Sequence, residues 1–142
     1  MNRLSVTLCS TLLVLATGCN FGDRVGNGRT ISLKFPPSHG ESGPSLLASS
    51  PEVQGCLQLI EATLNREWMT LGPNPPGSRD NCIAYFREGN QYCKVYLNQR
   101  AVTVFLFEYG RGHGSASFRR LSKSLQQELE KQYGAERVKV ED

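Results

Sequence analysis

The sequence has no block of like charges. Its 142 residues carry 16 basic and 13 acidic side chains, +3 net, and these are dispersed along the chain. That removes the electrostatic signature of a nucleic-acid arm or an acidic tail, and no nucleic-acid partner is expected. No C-x-x-C spacing is present, and only His39 and His113 could complete a metal set. A structural zinc site therefore lacks ligands, and no metal or cofactor is expected. Neither the nucleophile-elbow pattern nor the Gly-Lys-Ser/Thr of a phosphate loop occurs. No internal repeat, heptad array or catalytic constellation stands out, so nothing supports an enzyme. What is present fits one domain: the length suits a single core, and 39% hydrophobic residues exclude a disordered chain.

The N-terminus carries one cation, Arg3, followed by Leu4 to Leu15 (LSVTLCSTLLVL), twelve residues diluted by Ser and Thr. A transmembrane helix needs roughly 20 predominantly apolar residues, so this run suits a signal-peptide core instead. An ordinary secretory signal cut near Ala16 is one reading. The run ends Leu15-Ala16-Thr17-Gly18-Cys19, which resembles the lipobox of bacterial lipoproteins. The resemblance implies that residues 1–18 are removed, with Gly18 the last of them, and that Cys19 becomes the acylated first residue. It also implies a membrane partner through the lipid. Asn20, where Asp would suggest inner-membrane retention, implies the outer membrane, facing the periplasm. Several acyl chains make release negligible, whereas one gives only marginal binding.

Residues 19–29 then read as the lipidated start and a Gly- and Asn-rich tether, and residues 30–142 as the globular domain. Ile31, Leu33 and Phe35 alternate with polar residues, the pattern of a half-buried strand. Pro36-Pro37 opens a Pro-, Gly- and Ser-rich loop. Ser50-Pro51-Glu52 starts a helix, and Val53, Cys56, Leu57, Ile60, Leu64 and Trp68 form one apolar stripe, predicting a helix to about Met69. From Asn81 to Tyr109 the period falls to two. Turns centred on Gly89-Asn90 and Gln99-Arg100 predict a three-stranded antiparallel meander. Ser115 or Ser117 can cap a last helix to Tyr133, which Gly134 stops, and Val138 and Val140 suit an edge strand. The expected order is β-α-β-β-β-α-β, a small two-layer α+β sandwich with two helices on an antiparallel-rich sheet.

With two-residue turns, Cys82, Ala84, Phe86, Cys93, Val95, Leu97, Val102, Val104 and Leu106 share the core face. After loss of Cys9 and acylation of Cys19, three thiols remain. Cys82–Cys93 is disfavoured, because Cys93 then pairs with Phe86 and lies roughly 13 Å from Cys82 at strand rise, whereas a disulfide needs Cα atoms about 4.4–6.8 Å apart. A bridge from Cys56 on the helix to Cys82 or Cys93 is the favoured reading, and three reduced, buried thiols the alternative.

The opposite face displays Tyr85, Tyr92, Tyr96, Phe105, Phe107 and Tyr109, with Arg87 and Lys94 among them. If left open, it suits recognition of an envelope protein partner; if a helix covers each face, these rings are core. A second candidate is Gly110 to Ser115, where amides at a helix start, with Arg111, His113 and Ser115, could hold an anion or a small ligand. The same glycines also suit a mere reversal. Glu61, Glu67 and Glu108 show no pairing motif. The expectation is a non-catalytic, lipid-anchored interaction or assembly module of the cell envelope, with a small-ligand or anion-binding protein, conceivably an enzyme, as the alternative.

Overall fold

The computed structural model describes residues 26–37 and 44–142. The signal run, Cys19 and His39 lie outside them. Strand β1 (Gly26–Lys34) is followed by helix α1 (Pro51–Asn65), then β2 (Thr70–Gly72), β3 (Cys82–Glu88), β4 (Gln91–Asn98), β5 (Ala101–Tyr109), helix α2 (Ala116–Tyr133), a 3-10 turn and β6 (Val138–Glu141). The sheet order is β2-β3-β4-β5-β1-β6, and every neighbouring pair is antiparallel. The fold is α+β, with one short strand, β2, beyond the expected order.

The meander forms as its spacing requires. Glu88 pairs with Gln91 across Gly89-Asn90, Asn98 with Ala101 across Gln99-Arg100, and Phe86 faces Cys93. Gly89 sits at φ 54°, the left-handed region glycine enters without a Cβ penalty. A bulge between Cys82 and Ala84 shifts the end of β3 so that Cys82 faces Tyr96. Alternation had given no sign of the extra residue, Ile83.

β1 begins at Gly26, so residues 26–29, expected in the tether, are strand. Glycine hides the alternation there: Gly26 and Gly28 pair with Tyr109 and Phe107 and contribute no side chain. α1 ends at Asn65 instead of near Met69. The amides of Glu67 and Met69 both donate to Leu64 O (2.9 and 3.2 Å), and the chain turns there. Ser50 takes the N-cap position but its side chain makes no cap bond. Its Oγ accepts from the Leu47 amide at 2.9 Å. α2 is capped by Ser115, whose Oγ accepts from the Phe118 amide at 3.1 Å. On the loop before α1, Arg100 donates to the carbonyls of Phe35, Pro36 and Pro44 (2.9, 3.3 and 2.8 Å), binding the two flanks of residues 38–43 to the β4–β5 turn.

Both helices pack on one face. Val53, Cys56, Ile60 and Leu64 of α1 and Phe118, Leu121, Leu125 and Leu129 of α2 meet Ile31, Leu33, Ala84, Phe86, Cys93, Val95, Val102, Val104 and Leu106 in a single core. α1 reaches β2 at one edge, and α2 lies against β1 and β6 at the other.

Cys56, Cys82 and Cys93 are free, buried thiols. The expected bridge from Cys56 is not formed. Cys56 packs in the common core under α1 together with Cys93, and Cys82 lies at the start of β3. Cys82 and Cys93 do sense each other. Even so, three residues of β4 separate Cys93 from the partner of Cys82, roughly 10 Å along the strand and beyond bridging range.

Candidate functional site

Among the described residues no helix lies on the second face of the sheet, and strand parity places the remaining side chains on it. Tyr92 of β4 lies between Arg87 of β3 and Phe107 of β5, and Lys94 lies between Tyr85 and Phe105. The rings pack as one group around Tyr92, whose centroid is 5.3 Å from Phe107, 5.6 Å from Tyr109 and 6.2 Å from both Tyr85 and Phe105. Phe105 and Phe107 lie 6.0 Å apart with planes only 25° from parallel. Lys94 Nζ stands 5.6 Å from the Tyr92 centroid, within cation–π range.

Two glycines shape this surface. A Cβ on Gly26 would overlap the Phe107 ring, and one on Gly28 would touch both Phe105 and Phe107 at 3.5–3.6 Å. The rings therefore occupy space over β1 that any other residue would fill, the mutual filling by which aromatics compensate strand glycines. Tyr96 stands apart from the ring group, over a groove shared with Thr30, Arg79 and Phe105. Partial burial, then the neighbouring Cys82, raises its hydroxyl above the ordinary tyrosine value despite Arg79. It stays a proton donor at neutral pH.

Towards the Gly89-Asn90 tip the face hollows into a cavity of about 300 Å³, floored by Tyr85, Tyr92 and Tyr109, walled by Pro75 and Pro76, and bearing Arg87 and Lys94. Among the described residues no carboxylate lines it. All six aromatic residues expected on the open face are there. The contribution of Pro75, Pro76, Gly26 and Gly28 was not foreseen. The alternation Gly26-Asn27-Gly28 ahead of the first strand was the available signal for the glycines.

The loop 110–115 is arranged differently from the anion-binding reading. The position an anion would take at the start of α2 is filled by the chain's own Glu108. Its carboxylate accepts from the Ser115 amide (2.7 Å), Ser115 Oγ (2.5 Å) and Gln91 Nε2 (2.8 Å). Burial alone would raise this carboxyl, but the bonds from Ser115 and Gln91, with Arg119 nearby, outweigh it and hold the group below its ordinary value. Ser115 thus bonds Glu108 and caps the helix, its hydroxyl tying the loop to the end of β5. Arg111 and His113 are exposed. His113 borders a separate cavity of about 340 Å³ with Arg29 and Arg119, where Arg29 already faces Asp142 at 3.4 Å. Among the described residues no group of three or more His, Cys, Asp or Glu could hold a metal ion, and no helix is long and apolar enough to cross a membrane. Neither a scan against protein-family models nor a search of the curated proteins finds a match for this chain.

Proposed function

We propose that this chain is a non-catalytic, lipid-anchored protein of a bacterial cell envelope, held at the outer membrane on the periplasmic side, whose open aromatic sheet face captures a protein partner or supports an envelope assembly. The observation that carries the reading is the face itself: six aromatic side chains and two cations on the side of the sheet away from both helices. Interface energy concentrates in buried Tyr, Trp and Arg, and such residues surrounding a shallow cavity are the usual anchors. The anchor reading is supported by Gly18-Cys19 after a short apolar run.

Replacing Tyr96 and Phe105 together by Ser is expected to weaken capture of the native envelope partner by about thirtyfold or more, the equivalent of losing one hot spot of roughly 2 kcal/mol. The chain should still melt cooperatively, because the helix-covered core is untouched, with the midpoint a few degrees lower for loss of the Phe105 ring over Gly28. Arg111→Ala and His113→Ala should change capture little. Loss of capture in the loop variants alone would transfer the role to the Gly-rich loop. Separately, Cys19→Ala is expected to abolish metabolic acyl labelling and to move the protein from the membrane to the soluble fraction. Retained labelling would overturn the anchor.

A further inference from the structure

The turn that ends α1 is built unusually. The Met69 amide donates to Leu64 O and the Trp68 amide to Asn65 O at 3.1 Å, the paired bonds that place the intervening residue in the left-handed region, a position glycine normally takes. Here it is Trp68, at φ 68°. The strain is not compensated by packing: Met69 is fully buried, but the Trp68 side chain is 81% exposed. A strained residue whose bulk stabilises nothing within the fold is a pointer to a role outside it.

The strand register puts Trp68 at one end of the molecule with several cations. β2 opens with Thr70 opposite Arg87, and Trp68 and Arg120 border one shallow cavity with the hairpin tip. Exposed Arg111 and Arg119 flank the start of α2 at the same end. Of the carboxylates there, Glu67 is paired with Arg120 at 3.1 Å and Glu108 is buried in its own network. Among the described residues, exposed Glu88 opposes Arg87 and Arg111, while Arg119 borders a cavity with Asp142, which faces Arg29. The chain enters the fold here too, since Gly26 pairs with Tyr109, the last residue of β5. Cys19 is seven residues earlier, a reach of at most about 25 Å.

We propose that this end of the molecule rests on an anionic phospholipid surface, with Trp68 and Tyr109 at headgroup depth and Arg87, Arg111, Arg119 and Arg120 against the phosphates. Indole and phenol rings favour the membrane interface, where an apolar body and a polar edge are both satisfied. Guanidinium groups within a Debye length of anionic lipid add an attraction that salt weakens. The contact sets the strands across the bilayer plane and leaves the aromatic face turned sideways, accessible to a partner. It rests on the folded end alone and does not require acylation.

The full chain with Cys19→Ser, mixed with vesicles of phosphatidylcholine or of an equimolar phosphatidylcholine–phosphatidylglycerol mixture, tests this. Trp68 is the chain's one tryptophan, so its emission reports its own surroundings. The expected result is sedimentation with the anionic vesicles, reduced by salt, with a blue shift of the emission. Trp68→Gly should bind them about tenfold less while melting a few degrees higher, because glycine relieves the turn. Arg111→Gln with Arg120→Gln should remove the preference for anionic lipid. An unshifted emission, undiminished vesicle binding by Trp68→Gly, or a lower melting temperature for that variant would each overturn the proposal. Unshifted emission together with equal binding to soluble polyglutamate would assign the end to an acidic protein instead. Partner capture by the sheet face should be unchanged in Trp68→Gly, so the two readings fail separately.

Discussion

Glu108→Ala is expected to lower the unfolding free energy by about 2–4 kcal/mol, measured as a shift in urea midpoint with little change in slope. The side chain is 5% exposed and accepts three bonds, from the Ser115 amide, Ser115 Oγ and Gln91 Nε2. Its removal leaves the Ser115 amide without its acceptor, leaves the donors Ser115 Oγ and Gln91 Nε2 with only Ser117 and each other, and frees the end of β5 from the start of α2, with six intervening residues of which three are glycine. Glu108→Gln retains the shape with a weaker acceptor and should fall between the two. The pH dependence follows from the direction of the shift. The folded carboxyl lies below its ordinary value of 4.5, so its contribution is complete above that value and is lost as pH falls through the lower folded one. Titrating the urea midpoint downward from neutral pH should show a loss that Glu108→Ala no longer shows. An identical acid limb in parent and variant would contradict this account of the network.

The peptides containing Cys56 and Cys93 are expected to remain unalkylated in the native protein and to be fully alkylated, without prior reduction, once it is denatured. Both thiols are fully buried. Burial pushes Cys56 from 9.0 up to about 12, and burial together with the nearby Cys82 pushes Cys93 up as well. A rise of that size cuts the thiolate fraction at neutral pH by a factor of about 10³, and the thiolate is the reacting form. Peptide mapping of alkylated protein checks each site by mass. A cross-linked peptide joining Cys56 to Cys82 or Cys93 would show that the helix is bridged to the sheet after all.

The meander was legible because its determinants are local. Two-residue turns at Gly89-Asn90 and Gln99-Arg100 set the register, and with side chains alternating at period two, the faces of Phe86, Cys93 and Leu106 follow from the turns alone. The two helices were legible for the same reason: their apolar stripes repeat at three and four residues, and Ser115 and Gly134 mark the limits of α2. The left-handed turn at Trp68 was not legible, since tryptophan at the end of an apolar stripe reads as one more buried position. Nor was Glu108, whose partners lie 7 and 17 residues away.

By itself, the amino-acid sequence determined the strands of the hairpins, their register, the helices and the contents of each sheet face. A helix stripe specifies that a helix buries one side, but not which of two apolar sheet faces receives it. Only the tertiary structure decided that both helices share the aliphatic face and that Cys56, Cys82 and Cys93 stay free thiols in the buried interior. The physical reason lies in the alternate positions of the strands. Covering the other face would have buried the charges of Lys34, Arg87 and Lys94 and the Lys139–Glu141 pair, at a cost that no ring packing recovers. That face therefore stays open, and Tyr85, Tyr92, Tyr96, Phe105, Phe107 and Tyr109 form a surface instead of a second core.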